Sequence, residues 1–363
     1  MTDCLIVGGG LIGMLTAKEL HDAGMNVTLL EAGKVGRESS WAGGGILSPL
    51  YPWRYPDPVT ALAGWSQKAY PELAARLQRE SGIDPELTPS GLLILEPDDP
   101  ERALAWSRGQ SQPVTSIGAS EIHSCEPALD HPANQALWMP QVGQIRNPRL
   151  VKALHGSLDE KITLLQDRTV TGLLVEQGRV AGVTTRDGTH RAERVVICAG
   201  AWSGKLLKDL VSAPAIEPVL GQMIIFHHQP ERIRRITLHQ DRYVIPRRDG
   251  RILIGSTLEH RGFDKQTTEQ AKQSLRDYAL SHFPELAEAE IEHHWAGLRP
   301  GSPAGIPYIG AVPQLPGLYI NAGHYRNGVV LGPASCRLAA DLVLEREPIV
   351  PPEPYRLDAE RQE

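Results

Sequence analysis

Asp3-Cys4-Leu5-Ile6-Val7-Gly8-Gly9-Gly10-Leu11-Ile12-Gly13 is the stretch that decides the fold: an apolar run of strand length breaks into glycines, and a helical pattern follows at once. A strand over 3–7, a helix over about 11–23 and a second strand over 26–31 make a βαβ unit, which implies a parallel sheet. The glycines fit GxGxxG. In that motif Gly8 permits the tight turn, Gly10 lets the backbone meet a pyrophosphate, and Gly13 allows close helix–strand packing. The helix N-terminus adds amide donors and positive potential. Glu31, 21 residues after Gly10, ends the second strand where a carboxylate accepts from ribose hydroxyls and disfavours a 2′-phosphate. A plain sharp turn before an amphipathic helix accounts for the glycines but not for the strand, helix and acid together.

Further along, Pro52-Trp53-Arg54-Tyr55-Pro56-Asp57-Pro58 is expected to interrupt regular structure, and apolar Leu62, Trp65, Leu73 and Leu77 mark a helix after it. Residues 92–95 read as a strand. A second α/β stretch follows, with a helix over 148–158, strands over 162–165, 170–176 and 180–185, and a hairpin signal at Asp187-Gly188. The buried-looking strand 194–198 runs into Ala199-Gly200-Ala201-Trp202-Ser203, small enough to let backbone approach a cofactor. Strands over 223–226, 243–246 and 252–255 and a helix over 267–282 then suggest an antiparallel sheet. A strand over 317–322 and a helix over 332–344 close the chain. The expected organisation is α/β with an α+β substrate domain: a discontinuous Rossmann-like FAD domain (1–85, 145–215 and 299–363) and an antiparallel-sheet substrate domain (86–144 and 216–298).

The 363 residues exceed what one hydrophobic core usually holds. At 41% hydrophobic and 22% charged, the composition is globular. The net charge of −6, with scattered Lys and Arg, gives no footprint for nucleic acid or anionic membrane. No signal peptide or membrane-length apolar run is visible. Cys4, Cys125, Cys198 and Cys336 lack the close spacings of a zinc site or redox pair and read as reduced cytosolic thiols; no metal site is expected.

The run Arg37-Glu38-Ser39-Ser40-Trp41-Ala42-Gly43-Gly44-Gly45-Ile46-Leu47 resembles the segment that follows the ribose acid in the D-amino-acid oxidase and glycine oxidase family. There hydroxyls meet phosphate and glycines lie near the isoalloxazine, and this favours FAD over NAD. Two later segments, Trp295-Ala296-Gly297-Leu298-Arg299-Pro300-Gly301-Ser302-Pro303 and Asn321-Ala322-Gly323-His324-Tyr325-Arg326-Asn327-Gly328, carry one arginine each among small or rigid residues. With Pro307-Tyr308-Ile309-Gly310 they resemble the glycine oxidase signature of the D-amino-acid oxidase and sarcosine oxidase family over essentially the whole chain.

That resemblance implies the site. Arg299 grips the substrate carboxylate, for which a planar two-pronged donor suits better than lysine. Arg326 lies at the same site, and Tyr243 presents its hydroxyl to the substrate; these three are the expected catalytic residues. Leu258 is expected in the pocket wall, where some glycine oxidases have methionine. Expected FAD contacts are Gly8, Gly10, Leu11, Ile12, Gly13, Glu31, Ala32, Ser39, Ser40, Gly44, Gly45, Ile46 and Val170, and then His324, Tyr325, Arg326, Asn327, Gly328, Val329 and Val330. His324 is not assumed to be a base. Sarcosine oxidases attach flavin through a cysteine in the region matching 298–302; none stands here, so non-covalent FAD is inferred.

The implied reaction is oxidative deamination. The substrate amine is neutral, a hydride passes to flavin, the imine hydrolyses to an oxo acid and ammonia, and dioxygen gives hydrogen peroxide. This fits a sequence without a Ser-His-Asp, Cys-His or paired-carboxylate constellation. The resemblance further implies a part in making the thiamine thiazole, a homotetramer and a cytoplasmic location. Its rivals are a sarcosine or D-amino-acid oxidase, a dehydrogenase using another acceptor, and a flavin-binding module without turnover.

Overall fold

The computed structural model describes residues 2–110, 112–209 and 213–361. Its centre is a six-stranded sheet in the order Tyr308–Ala311, Leu318–Ala322, Arg194–Ile197, Cys4–Val7, Val27–Leu30, Thr163–Leu165. Every neighbouring pair is parallel except the edge pair Tyr308–Ala311 with Leu318–Ala322. The inner strands are buried on both faces, as parallel strands are, while the edge strand Thr163–Leu165 is exposed or half-buried, and residues along the strands alternate between two cores. Cys4, Ile6, Leu29 and Val196 face the helices Leu11–Asp22, Asp57–Ser81, Asn147–Leu158 and Gly328–Val343. Leu5, Val7, Leu30, Val195 and Ile197 face the other way, toward Val180 and Val183 of a separate three-stranded antiparallel sheet.

A second sheet of eight strands runs Glu290–Gly301, Glu217–His227, Arg251–Gly255, Arg242–Pro246, Ile236–His239, Leu92–Leu95, Gln135–Met139, Thr115–Gly118. All its pairs are antiparallel except Ile236–His239 with Leu92–Leu95. The helix Glu269–His282 packs Leu275 and Ala279 with Phe226, Val244 and Ile254 in one core cluster.

Several elements differ from the sequence reading. The segment 52–58 is not wholly irregular: Pro52–Arg54 form a 3-10 turn and the long helix begins at Asp57, with Pro58 in its first turn, where a missing N–H costs nothing. The hairpin turn falls on Arg186 and Asp187, because Gly188 already pairs with Thr185. The last helix starts at Gly328, ahead of the expected 332. Pro333 reads as a barrier there, yet the carbonyl it leaves without a helical donor, that of Val329, accepts from the Tyr70 hydroxyl at 2.5 Å. Most consequentially, Glu290–Gly301 is one continuous strand, so the expected boundary at 298/299 falls inside it and Arg299 belongs to the eight-stranded sheet.

Candidate active site

One cavity of about 1030 Å³ runs from the glycine turn to Arg299 between the two large sheets, at the upper limit of the roughly 300–1,000 Å³ of small-molecule sites. Its volume suits a dinucleotide with a small second ligand.

At the nucleotide end, Gly8 has φ +110, and a Cβ there would stand 2.4 Å from the Cys198 carbonyl oxygen. Only glycine passes between the first strand and the strand Arg194–Ile197. Gly13 does not line the cavity; a Cβ on it would meet the Gly8 carbonyl oxygen at 1.8 Å, so it seats the helix on the turn. Gly10, Leu11 and Ile12 line the cavity. First-turn amides have no intrahelical acceptors; that of Leu11 donates to Ser40 Oγ at 2.8 Å, which leaves the Ser40 hydroxyl proton free to donate to an anion. Glu31 Oε2 accepts from Gly9 N at 2.7 Å and Oε1 from Gly33 N at 2.8 Å. Its carboxylate is thus fixed at the cavity wall with acceptor capacity remaining.

Ala32, Ser39, Gly44, Gly45, Ile46, Val170 and all of 324–330 also line the cavity. Asn327 Nδ2 is buried there with no hydrogen-bond partner among the described residues, an uncommon state that a ligand acceptor resolves. This orphan donor, the close-packed glycines and the fixed acid fit a dinucleotide flavin. His324 is buried with Nε2 2.9 Å from Ser335 Oγ, and burial pushes it down to about 3. Ser335 spends its own proton on the Gly332 carbonyl, so His324 Nε2 donates. A neutral, engaged ring of this kind is not a base at neutral pH.

At the other end, Arg299 stands opposite Val219 in register, and its side chain crosses diagonally over Gly221. A Cβ on Gly221 would lie 2.2 Å from both Nη1 and Nη2. Nη1 donates to the carbonyls of Leu220 and Thr257, each at 3.2 Å, and Nη2 to Ser256 Oγ at 2.7 Å. These acceptors engage three of the guanidinium's five N–H groups, and the other two, with the Tyr243 hydroxyl beside the guanidinium, face a ligand. Among the described residues no carboxylate pairs with Arg299 within 4.0 Å, and burial lowers its pKa. A desolvated cation fixed by neutral acceptors calls for an anion. Arg326 also faces the cavity and has exposed Asp241 3.8 Å away.

Tyr243 is buried at the cavity wall; its hydroxyl has Met223 Sδ at 4.0 Å and stands beside the Arg299 guanidinium. The ring lies over Gly255, where a Cβ would come within 2.7 Å, and beside Gly44. Leu258 is a correction: it is 47% exposed and does not line the cavity; Thr257 and Glu259 on either side of it bond back to Gln222 and Leu220, which leaves the Leu258 side chain outside, and Ser256 lines the wall instead. Sequence reasoning also missed Gly221, Ser256 and Arg247. The last is buried, pushed down to about 10 mainly by burial, and donates to Gly44 O at 2.7 Å and Gln144 Oε1 at 2.6 Å; it holds the glycine run in place. An isolated glycine inside a strand pattern, Gly221, was the available signal of a close approach.

Against known proteins, the DAO family model, FAD dependent oxidoreductase, matches residues 3–342. The chain is 52% identical to the glycine oxidase of Pseudomonas aeruginosa over 97% of each chain. It is 31% identical to the bifunctional protein ThiO/ThiG of Trichormus variabilis, covering 95% of this chain and 53% of that protein. The crystal structure of glycine oxidase from Geobacillus kaustophilus superposes with a TM-score of 0.95 at 30% identity, covering 99% of both chains.

Proposed function

The chain belongs to the DAO family of FAD dependent oxidoreductases, and from that premise we propose that it is a glycine oxidase, converting glycine to glyoxylate, ammonia and hydrogen peroxide. The carrying observation is the unpaired, fixed Arg299 guanidinium in the same cavity as the dinucleotide cradle. FAD is the cofactor; when bound, it accepts the hydride equivalent and returns the electrons to dioxygen.

The chain's own residues do the rest. In this reading the two remaining N–H groups of Arg299 take the substrate carboxylate side by side, which fixes both position and angle of a ligand with almost no other handle. The Tyr243 hydroxyl exchanges its weak sulfur contact for a carboxylate oxygen, and Arg326 adds positive potential. With His324 engaged and neutral, no histidine on the cavity wall takes a proton, so the amine enters neutral. The tight wall of Met223 and Tyr243 favours a small substrate, with sarcosine and small D-amino acids as secondary ones.

Cys198 is the cavity's only lining thiol among the described residues, and burial raises it well above the ordinary thiol range; this supports non-covalent FAD. The ThiO/ThiG relative supports a part in supplying the imine for the thiamine thiazole. The proposal extends to the two-domain division about the two sheets, a homotetramer and a cytoplasmic enzyme. All four cysteines are free thiols, and no helix among the described residues is long and apolar enough to cross a membrane.

The test is anaerobic addition of glycine, sarcosine or D-proline to the FAD-loaded protein, then air and a peroxide assay, with Arg299→Ala as control. Bleaching of the visible flavin band by glycine, peroxide on reoxidation and a sharp weakening of both in the variant are expected. An oxidised flavin stable to every amino acid would overturn the reading.

A further inference from the structure

Three histidines meet away from the cavity. His239 ends the strand Ile236–His239, His282 ends the helix Glu269–His282, and His131 lies in the segment leading into the strand Gln135–Met139. One ring nitrogen of each lies within 4.8 Å of the other two. His131 stacks on His282 with centroids 4.6 Å apart, and His239 Nδ1 is 2.9 Å from His282 Nε2. Two nitrogens bound at roughly 2.1 Å to one tetrahedral ion stand about 3.4 Å apart, with the ion in the plane of each ring; the nitrogens are near enough, and the His131 ring, now stacked 13° from parallel on His282, rotates out of the stack to share an ion with it.

The proton positions sharpen the case. His282 Nδ1 is 2.9 Å from the Tyr278 carbonyl, which only accepts; Nδ1 therefore carries the proton and Nε2 presents its lone pair to the cluster. His131 Nδ1 is buried without a hydrogen-bond partner among the described residues, a cost that a purely structural cluster would leave unrelieved. Glu96 Oε2 stands 3.6 Å from His239 Nε2.

We propose that His131, His239 and His282 form a site for a borderline divalent transition metal ion such as Zn²⁺, with water completing the coordination. Three nitrogen–metal bonds form and bound waters leave the ion. The proton on His239 Nδ1 passes to Nε2, facing Glu96, so none is lost to solvent. The Tyr278 carbonyl and Glu96 then orient two of the imidazoles from behind, the usual outer contacts of metal-bound histidine. The residues are too far apart in sequence for any local spacing to mark them.

The experiment uses the tag-free, FAD-loaded full chain, dialysed against chelator and titrated calorimetrically with Zn²⁺, with Co²⁺ as a spectroscopic probe. Expected are one ion per chain, an intense tetrahedral-type Co²⁺ spectrum and a zinc-dependent rise in melting temperature. Affinity should fall at least about tenfold in both His131→Asn and His239→Gln and stay unchanged in His123→Asn, on an exposed helix. No binding by the wild type, equal binding by the variants, or a weak octahedral Co²⁺ spectrum would each overturn the proposal. Should one variant fail to fold, as judged by flavin absorption, the other and the wild-type cobalt spectrum decide.

Discussion

A methyl group at Gly221 tests the carboxylate grip without touching the arginine. The backbone of Gly221 is outside the left-handed region, so alanine is tolerated conformationally. Its Cβ, however, would lie 2.2 Å from both terminal nitrogens of Arg299 and 2.3 Å from Cζ. To regain ordinary contact the guanidinium must lift by roughly 1.2 Å. That breaks the fit to Leu220 O, Thr257 O and Ser256 Oγ and misaims the two donors left for substrate. A misplacement near 1 Å costs on the order of 10²-fold, or about 2.7 kcal/mol. For Gly221→Ala, kcat/KM for glycine by oxygen uptake at saturating FAD should therefore fall about 10²-fold, with FAD affinity by fluorescence titration unchanged. In an Arg299→Ala background, with residual turnover as readout, the same methyl should cost less than about threefold, since the group it displaces is gone. Wild-type kcat/KM in Gly221→Ala, or an equal loss with and without Arg299, would refute the reasoning.

Ser40→Ala removes the acceptor of the Leu11 amide and a donor toward phosphate; FAD Kd should rise about tenfold by flavin fluorescence, with KM for glycine at saturating FAD unaffected. Tyr243→Phe keeps the ring over Gly255 and loses only the hydroxyl, so steady-state kinetics should show KM up about five- to tenfold with kcat nearly constant. His324 titrates at about 3 when folded against 6.5 unfolded. Its contribution to stability is complete above pH 6.5 and is lost as pH falls toward 3, because the unfolded chain binds the proton first. Between pH 7.5 and 5 the wild type should lose about 2 kcal/mol through this group, read from urea midpoints at saturating FAD, and His324→Gln should flatten that slope.

Local spacing carried the nucleotide half of the molecule. A strand, three glycines, a helix and an acid lie within the first 31 residues, so short-range geometry alone implies a parallel sheet and a dinucleotide cradle. The cradle then appears with Gly8 crowding Cys198 and Glu31 fixed by Gly9 and Gly33. Arg299, Arg326 and Tyr243 were legible as residues through family resemblance, but their arrangement was not. Arg299 reaches the cavity because strand register sets it opposite Val219 and across Gly221; its hydrogen-bond partners come from positions 220, 256 and 257. Leu258 was misplaced for the same reason: the direction a chain takes after a strand end depends on packing with distant segments. Arg247 and the cluster of His131, His239 and His282 likewise gain meaning only when separate segments converge. The sequence by itself determined the elements whose hydrogen bonds and apolar periods close within about thirty residues, whereas tertiary structure decided every contact formed by strand pairing across longer separations, where no local pattern fixes which side chains meet.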